Sequence, residues 1–351
     1  KLLILDEPTS SLNEDDSANL LQLLRDLQKE GVTSVMISHR LKEVVEIADT
    51  ITVLRDGATI CSMDASGQKV QESEIIKNMV GREITDIYPE RKDVAIGDVA
   101  LEIKDWSVFD PSLGRQILDK VSLNVRKGEV VGIAGLMGAG RTELALSIFG
   151  NSPNYKLLGG ELFMEGKKVA FRNPAEAMSA GLAYVTEDRA RNGLILIQDV
   201  RFNTTISKLD KILDGIVINE NEEIVQANKY KDAFNIKTPS IAQKINNLSG
   251  GNKQKVSLAK CMFTDPKVLI LDEPTRGIDV GAKHEIYSIM NELVKEGYSV
   301  IMISSELPEI LGMSDRIYVM AEGTITGELS RSEANEERIM AMATKSEEVT
   351  K

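Results

Sequence analysis

An α/β fold with a mostly parallel sheet is predicted for this chain of 351 residues by three observations. Apolar runs rich in β-branched residues alternate with amphipathic helical segments, an order typical of parallel sheets covered by helices. A glycine-rich loop stands between a buried strand and a helix at residues 135–142. A long segment near the start of the chain also recurs near its end, at a fixed offset.

The recurring segment starts with the run LLILDEPT at residues 2–9, which returns as LILDEPT at residues 269–275. The offset, 272 minus 6, is 266, and it holds without a gap as far as Gly57 and Gly323. A register kept over about fifty residues indicates two copies of one phosphate-handling domain. Because the chain opens inside an apolar strand, we expect the first copy to lack its beginning.

Composition limits the function classes. Hydrophobic residues make up 42% of the chain and charged residues 27%, as in ordinary soluble globular proteins. The longest apolar stretch, around residues 130–140, is too short to cross a bilayer. The net charge of −12 argues against a dedicated nucleic-acid surface. Cys61 and Cys261 have neither metal-ligand spacing nor the numbers for a disulfide framework.

The order of elements predicts two domains joined by a short connection. Residues 1–90 begin as strand, helix and strand and form the first domain. Residues 91–100 are mainly polar and suit a linker. A fuller pattern of strands and helices occupies residues 101–345 and predicts a complete second domain. The tail, residues 346–351, is rich in Lys, Glu and Thr and is expected to fray.

The glycine loop follows a buried strand and opens a helix, which is the context that a phosphate-binding loop requires. Glycines allow backbone N–H groups to turn towards phosphate oxygens, and the helix N-terminus adds positive potential. Thr142 supplies a hydroxyl suited to Mg²⁺. Arg141 replaces the usual lysine, and its planar, bulkier head should preserve nucleotide binding better than catalytic geometry. The candidate phosphate-binding residues are Gly135, Gly138, Ala139, Gly140, Arg141 and Thr142.

Two acidic residues end the apolar strand of each repeat. Asp272 can hold the water shell of Mg²⁺, and Glu273 can polarise an attacking water. Asp6 and Glu7 are their counterparts in the first copy. The Asp-Glu-Pro-Thr motif could also be a solvated turn without a function, but the glycine loop upstream and the second copy of the motif argue against this interpretation.

A second anion-binding device lies at residues 248–255, in the run LSGGNKQK. Ser249, Gly250 and Gly251 precede an apolar-periodic helix, and serine with paired glycines at a helix start favours anion binding. One nucleotide does not need both the glycine loop and the LSGG run of the same domain. Two anion-binding segments in one domain are explained if one of them contacts a nucleotide held by a partner domain.

Taken together, the glycine loop, LSGGNKQK, LDEPT and the pair Ser38-His39 resemble the ATP-binding cassette (ABC) ATPases. More narrowly, GLMGAGRTEL, the segment Glu187-Asp188-Arg189 and DEPTRGIDVGAKHEIY are similar to the second half of the duplicated ATPase subunit of bacterial monosaccharide importers. That type serves ribose, galactose, xylose or multiple sugars. The resemblance implies a P-loop NTPase fold of ABC type, a mixed, mostly parallel sheet with a helical subdomain, in tandem: a partial first copy and a complete second copy.

The resemblance also implies cofactors, partners and location. The subunit would bind ATP with Mg²⁺ and hydrolyse it by attack of water on the γ-phosphate. It would act at the cytoplasmic face of the inner (plasma) membrane as a peripheral protein, bound to two membrane-spanning permease subunits and served indirectly by a periplasmic-type sugar-binding protein. In the family the domains pair head to tail, so that each nucleotide lies between one glycine loop and the other domain's LSGG.

The two copies differ in how many of the family's nucleotide-site residues they keep. His39 stands where the family's switch histidine contacts the γ-phosphate, but the same position in the second copy is Ser305. Glu187 stands where the family normally has glutamine, and Arg141 has replaced lysine. The resemblance therefore implies a competent site that combines the first copy's own glycine loop, expected in its missing beginning, with Asp6, Glu7 and His39 and with Ser249, Gly250 and Gly251. The site built on residues 135–142 would bind nucleotide and hydrolyse it slowly.

Other functions and residue roles stay open at this point. Phe109 lies where the family places an adenine-stacking aromatic, with Trp106 as its competitor and a plain core role as an alternative. A nucleoside or another small solute could be the cargo instead of a sugar. A soluble tandem ABC factor acting on ribosomes would be expected to carry a long basic connector, and a DNA-repair ABC ATPase would carry zinc-spaced cysteines or a coiled-coil insertion. The resemblance implies that the binding protein and the permease, and not the ATPase subunit, select the transported sugar.

Overall fold

The computed structural model describes residues 1–9, 14–38, 41–55, 58–66, 70–80, 87–91, 94–150 and 154–345. These residues form two compact units: Lys1–Ile87 with Gly277–His284, and Tyr88–Arg276 with Glu285–Lys351. Sequence patterns place residues 277–284 in the second domain, whereas their contacts group them with the first unit. The other boundaries drawn from the sequence stay predictions.

The first unit combines a parallel pair of strands, an antiparallel pair and helices. Its elements in chain order are β1 (Leu2–Asp6), α1 (Glu14–Lys29), β2 (Thr33–Ile37), α2 (Leu41–Ile47), β3 (Thr50–Arg55), β4 (Ala58–Asp64) and α3 (Glu72–Val80). β1 pairs with β2 in parallel, and β3 pairs with β4 antiparallel. Leu21 and Leu24 are buried and lie three residues apart on α1, so one face of this helix is apolar.

The second unit contains most of the strands. They are β5 (Val99–Asp110), β6 (Arg115–Arg126), β7 (Val130–Gly135), β8 (Lys156–Met164), β9 (Lys167–Val169), β10 (Leu182–Val185), β11 (Leu213–Asp214), β12 (Val217–Ile218), β13 (Val268–Asp272), β14 (Ser299–Ile303), β15 (Arg316–Ala321) and β16 (Thr324–Ser330). The main sheet has the order β10-β13-β14-β7-β15-β16. A second sheet has the order β6-β5-β8-β9 and is antiparallel.

Parallel pairing places the ends of four strands at one edge of the main sheet. β10, β13, β14 and β7 are neighbours and run in the same direction. β13 and β14 are buried along their whole length, which agrees with their continuous runs of apolar residues. The loops that follow these four strands therefore leave the sheet on the same side.

The helices α4 to α11 complete the chain. They are α4 (Arg141–Ile148), α5 (Pro174–Ser179), α6 (Val200–Thr205), α7 (Glu220–Ala233), α8 (Gly250–Met262), α9 (Val280–Lys295), α10 (Leu307–Met313) and α11 (Glu336–Ala343). Side-chain caps start several of them: Asn173, Asp199 and Ser249 accept bonds from backbone N–H groups of the first turn. Within the described residues, we find no helix that is both long and apolar enough to cross a bilayer.

The main core of the second unit lies where the two sheets and α4 meet. Apolar side chains of β5, β6, β7 and α4 form one buried cluster together with those of β13 and β14. Trp106 belongs to this cluster, and its ring N–H donates to Ser147 of α4 over 3.0 Å. The bond satisfies a polar atom that burial would otherwise leave without a partner. This packing fixes the end of β7 and the start of α4.

Strand register in the two units follows the offset seen in the sequence. Leu2 faces Thr33 in the first unit, and Val268 faces Ser299 in the second. The differences 268 minus 2 and 299 minus 33 both equal 266. The same shift converts the bounds of β3 and β4 into those of β15 and β16, including a register irregularity within each pair. It also converts α1 and α2 into α9 and α10.

Candidate functional site

The loops at the carboxyl edge of the main sheet carry most of the residues that the sequence singles out. The glycine loop follows β7, Glu273 follows β13, and Ser304 and Ser305 follow β14. Glu187 comes shortly after β10. Because these strands are parallel neighbours, side chains far apart in the sequence meet at this edge.

The glycine loop turns sharply into α4. Gly140 precedes the first helical residue in a left-handed conformation, with φ of 98°. A Cβ atom at this position would lie 2.9 Å from the side chain of Leu118, so only glycine fits without movement. Gly138 also has positive φ, 81°, and is exposed, while Ala139 and Gly140 are buried. The helix start therefore presents backbone N–H groups next to an open loop, an arrangement suited to phosphate.

Arg141 points back into the site. Its side chain is buried, and the guanidinium donates a hydrogen bond to the Ser304 carbonyl oxygen over 2.5 Å. It also lies 3.8 Å from a carboxylate oxygen of Glu273. The arginine of the glycine loop is thus bound to the loops that follow β13 and β14.

Asp272 ends β13 and is completely buried. One carboxylate oxygen, Oδ2, accepts a hydrogen bond from the hydroxyl of Tyr184 over 2.9 Å. Burial raises the pKa of Asp272, while hydrogen bonding to Tyr184 and Thr142 acts in the opposite direction. Burial and the nearby carboxylate raise the pKa of the Tyr184 phenol, which therefore stays protonated and can donate.

Glu273 adopts a left-handed backbone, with φ of 47°. Its amide N–H donates to the Ile303 carbonyl oxygen over 2.9 Å, and its carboxylate accepts from the Ser305 hydroxyl over 3.0 Å. Burial raises the pKa of Glu273, opposed by hydrogen bonds from Ser305 and by the charge of Arg141. A non-glycine residue held at positive φ is uncommon and often marks a functional site.

A buried carboxylate that the sequence patterns do not reveal links two of these loops. Glu309 of α10 is buried and accepts hydrogen bonds from the hydroxyls of Thr275 and Ser304. The distance from the Thr275 hydroxyl is 2.9 Å. This carboxylate joins the segment after β13 to the end of β14. The first unit has a similar bond, from Thr9 to Glu43 over 2.6 Å.

Glu187 is held by an arginine that the sequence patterns also miss. Arg276 forms an ion pair with Glu187. Arg189 donates to the side chain of Gln254 over 3.2 Å and to the Arg276 carbonyl oxygen over 3.1 Å. Gln254 lies on α8, so the segment after β10 is tied to the helix of the LSGG run. A basic residue directly after the DEPT motif is the only sequence signal that could have indicated this role for Arg276.

Ser249 occupies the N-cap of α8 and is exposed. Its hydroxyl accepts a hydrogen bond from the Asn252 side chain over 2.9 Å. Gly250 and Gly251 form the first turn of this helix of 13 residues. The backbone N–H groups of that turn can therefore face an anionic ligand.

The remaining candidate residues do not lie at the carboxyl edge of the main sheet, or they fall outside the residues that the structure describes. Asp6 ends β1 and Glu7 follows it in the first unit, where both are exposed. Like Glu273, Glu7 has positive φ, 45°, and its amide donates to Ile37 over 2.8 Å. His39 lies outside the described residues. Phe109 is half-buried on β5, and its stacking role stays a prediction.

Comparison with known proteins identifies the family. A family model described as "ABC transporter" matches residues 118–276. The L-arabinose transport ATP-binding protein AraG of Geobacillus stearothermophilus is 56% identical over 346 residues, which are 98% of this chain and 67% of the relative. This chain belongs to the ATP-binding proteins of ABC transporters.

Other relatives and solved structures agree with this assignment. The xylose import ATP-binding protein XylG of Thermoanaerobacter pseudethanolicus is 53% identical, and the ribose import ATP-binding protein RbsA of Bacillus licheniformis is 46% identical. Each match covers 98% of this chain and 67% of the relative. A nucleotide-free ATP-binding cassette from an ABC transporter is 25% identical with a TM-score of 0.59, over 70% of this chain and 96% of that one.

The fold also matches more distant cassettes. The post-hydrolysis dimer of the cassette MJ0796 bound to ADP and Pi is 20% identical, with a TM-score of 0.57 over 66% of this chain and 98% of that one. The predicted P-loop fold of ABC type, with mixed sheet and helices, is therefore confirmed.

Proposed function

We propose that this chain binds and hydrolyses ATP to energise the import of a monosaccharide through a bacterial ABC transporter. The observation that carries the proposal is the carboxyl edge of the main sheet, where the glycine loop, Asp272 and Glu273 come together. Relatives that are 46–56% identical over 98% of the chain are named for transport of arabinose, xylose and ribose. These names support a sugar as the cargo.

Magnesium is the metal that this edge would hold together with ATP. The Oδ1 atom of Asp272 is buried and has no hydrogen-bond partner among the described residues. The Thr142 hydroxyl interacts with the same carboxylate. Carboxylate and hydroxyl oxygens are ligands that Mg²⁺ accepts, directly or through its waters. The ion would neutralise charge on the phosphates, while Asp272 and Thr142 would orient its shell.

We infer that the chain contains two ABC domains in tandem, a partial first copy at residues 1–90 and a complete second copy at residues 101–345. The linker would be residues 91–100 and the tail residues 346–351. The matching strand registers, related by 266 residues, support this assignment. So do the equivalent bonds from Thr9 to Glu43 and from Thr275 to Glu309.

The two nucleotide sites would then differ in activity. In the second copy Arg141 binds Glu273, and Ser305 occupies the position of the switch histidine. Glu187 is engaged by Arg276. Loss of a general base or of a γ-phosphate contact typically lowers rates by about 10²–10⁴. Asp6, Glu7 and His39 of the first copy retain the family's residues and would carry most of the turnover.

Assembly would follow the family's head-to-tail pairing. Ser249, Gly250 and Gly251 would face a nucleotide held by another ATP-binding domain. The exposed N-cap residue of α8, Ser249, supports this role, because the N-terminus of a helix favours an anionic ligand. The chain would sit as a peripheral protein on the cytoplasmic face of the plasma membrane, on two permease subunits served by a sugar-binding protein.

Uptake in cells tests the cargo. A strain without this gene, complemented with the wild-type gene, should regain accumulation of radiolabelled arabinose, xylose, ribose or another monosaccharide. Complementation with Glu7→Gln should not restore it. Restored uptake of a nucleoside or another solute, with no monosaccharide affected, would favour the alternative cargo.

Turnover of the purified full-length protein, with the glycine loop of the first copy present, tests the assignment of the sites. Glu7→Gln should abolish most ATP hydrolysis, whereas Glu273→Gln should leave most of it. Both variants should still bind a fluorescent ATP analogue, because the carboxylate is not needed for binding. The opposite pattern, activity kept by Glu7→Gln and lost in Glu273→Gln, would reverse the assignment.

A further inference from the structure

The two carboxylate oxygens of Asp272 have different surroundings. Oδ2 accepts the Tyr184 hydroxyl over 2.9 Å, whereas Oδ1 has no hydrogen-bond partner among the described residues. The whole residue is buried. A buried carboxylate oxygen without a partner is costly, on the order of 1–3 kcal/mol, and such atoms in folded proteins usually face a water or an ion.

Tyr184 is held firmly enough to define the orientation of this carboxylate. It lies on β10, in register with Ile270 of the neighbouring parallel strand β13. Its ring packs against Phe149 at the end of α4, with ring centroids 5.6 Å apart. Two independent contacts, the strand ladder and the aromatic pair, therefore fix the position of the hydroxyl.

We propose that Tyr184 is a positioning residue for magnesium: it occupies Oδ2 of Asp272 and so keeps Oδ1 available for the ion or its water shell. The inference rests on the proposed function, since it requires the site to take Mg²⁺ with a nucleotide. Without the phenol, the carboxylate would keep its interaction with Thr142 but could turn more freely about its Cβ–Cγ bond, so that it would no longer offer a fixed oxygen. Groups that orient metal ligands commonly change metal affinity by about 10–100-fold when removed.

The test measures binding of a fluorescent ATP analogue to the whole chain at increasing Mg²⁺, and also without Mg²⁺. Tyr184→Phe keeps the ring and removes only the hydroxyl. The Mg²⁺ concentration for half of the magnesium-dependent gain in affinity should rise about tenfold in this variant. Its affinity in the absence of Mg²⁺ should stay within about twofold of the wild type, because Tyr184 acts on the carboxylate and not on the phosphates.

A matched control removes the same atom elsewhere. The Tyr230 hydroxyl donates to the Met262 carbonyl oxygen over 3.1 Å in another part of the second unit. Tyr230→Phe should leave both binding measurements unchanged. Asp272→Asn should remove most of the magnesium-dependent gain and defines the full effect.

The outcomes separate this inference from the proposed function. If the wild type shows no magnesium-dependent gain, the proposed magnesium site is wrong. If the wild type shows the gain and Tyr184→Phe titrates identically, the positioning role is wrong. Equal weakening of binding with and without Mg²⁺, together with a lowered melting temperature, would assign Tyr184 to packing and also overturn the inference.

Discussion

The guanidinium of Arg141 lies 3.8 Å from the carboxylate of Glu273 and donates a hydrogen bond to the Ser304 carbonyl oxygen. Both charged side chains are about one-tenth exposed, so solvent screens the pair only weakly. Under the proposed function, Arg141 takes the place of the family's lysine and Glu273 that of the residue that activates water. A nucleotide that binds Arg141 would then compete with these internal contacts for the same guanidinium.

Replacement of Arg141 is expected to affect both nucleotide binding and stability. Arg141→Ala removes a charged donor, and a lost charge-assisted hydrogen bond of about 1.5–3 kcal/mol corresponds to roughly 10–150-fold weaker binding. It also leaves the buried Glu273 without its cation, which should lower the free energy of unfolding by about 1–3 kcal/mol. Fluorescent-nucleotide titration and thermal unfolding measure the two effects.

The control for this variant is Arg191→Ala, which removes an exposed arginine 3.7 Å from Asp188. Exposed pairs of this kind contribute little to stability, so both measurements should match the wild type. Wild-type nucleotide affinity in Arg141→Ala would show that the guanidinium does not leave Glu273 and Ser304 to bind phosphate.

Two glycines of the glycine loop should differ in how much an alanine substitution destabilises the protein. Gly138 and Gly140 both have positive φ, 81° and 98°. A Cβ atom at Gly138 meets nothing within 4 Å, whereas one at Gly140 lies 2.9 Å from Leu118. Gly138→Ala therefore adds only backbone strain of about 1–2 kcal/mol. Gly140→Ala adds overpacking of a further ~1–3 kcal/mol.

Denaturant unfolding of both variants should rank Gly140→Ala clearly below Gly138→Ala. Gly140→Ala should also bind nucleotide more weakly, because its strain falls on the first turn of α4. Equal losses of stability would mean that Leu118 moves away without cost and that the close approach does not constrain the loop.

The bond from Thr275 to Glu309 should contribute to the stability of the second unit. Thr275→Val keeps the shape of the side chain and removes the donor to a buried carboxylate, which should cost about 1–3 kcal/mol. Thermal unfolding provides the measurement. Thr326→Val is a suitable control, since its hydroxyl is only partly buried and donates over 3.2 Å to a backbone carbonyl. An unchanged melting temperature in Thr275→Val would show that water replaces the hydroxyl at Glu309.

Local patterns in the sequence predict the backbone elements that carry the candidate site. The ends of strands at Asp272 and Asp6, the glycine turn before α4 and the N-cap at Ser249 each depend on a few neighbouring residues. Apolar periodicity does not locate the start of a helix to the residue. The start of α9 at Val280 depends on Asp279, whose side chain accepts the N–H of Ala282 over 2.9 Å and caps the helix.

Contacts between distant residues could not be predicted in this way. The bond from Tyr184 to Asp272 joins residues 88 positions apart, and the bond from Arg141 to Ser304 joins residues 163 apart. Nothing in the spacing of these residues signals either bond, since both follow from the order of strands in the sheet. The burial of Glu309 is a further example, because its carboxylate is accommodated only by hydroxyls from two other loops.

Glu165 should make the free energy of unfolding depend on pH. Its carboxylate accepts hydrogen bonds from the ammonium groups of Lys127 over 2.7 Å and Lys267 over 2.5 Å, and these partners lower the pKa of Glu165 to about 2. Since the pKa is lower in the folded state than the ordinary 4.5, the stabilisation is fully present above about pH 4.5 and is lost as the pH falls towards 2. The lysines are about half exposed, which keeps the effect small.

Glu165→Gln should lower the melting temperature by about 1–3 °C at pH 7, and the difference from the wild type should shrink below pH 4.5. Glu296→Gln, the same change at another exposed glutamate, serves as the control. Glu165 lies in the turn between β8 and β9. A difference between Glu165→Gln and the wild type that stayed constant from pH 7 to pH 3 would show that the effect comes from the shape of this turn and not from the charge.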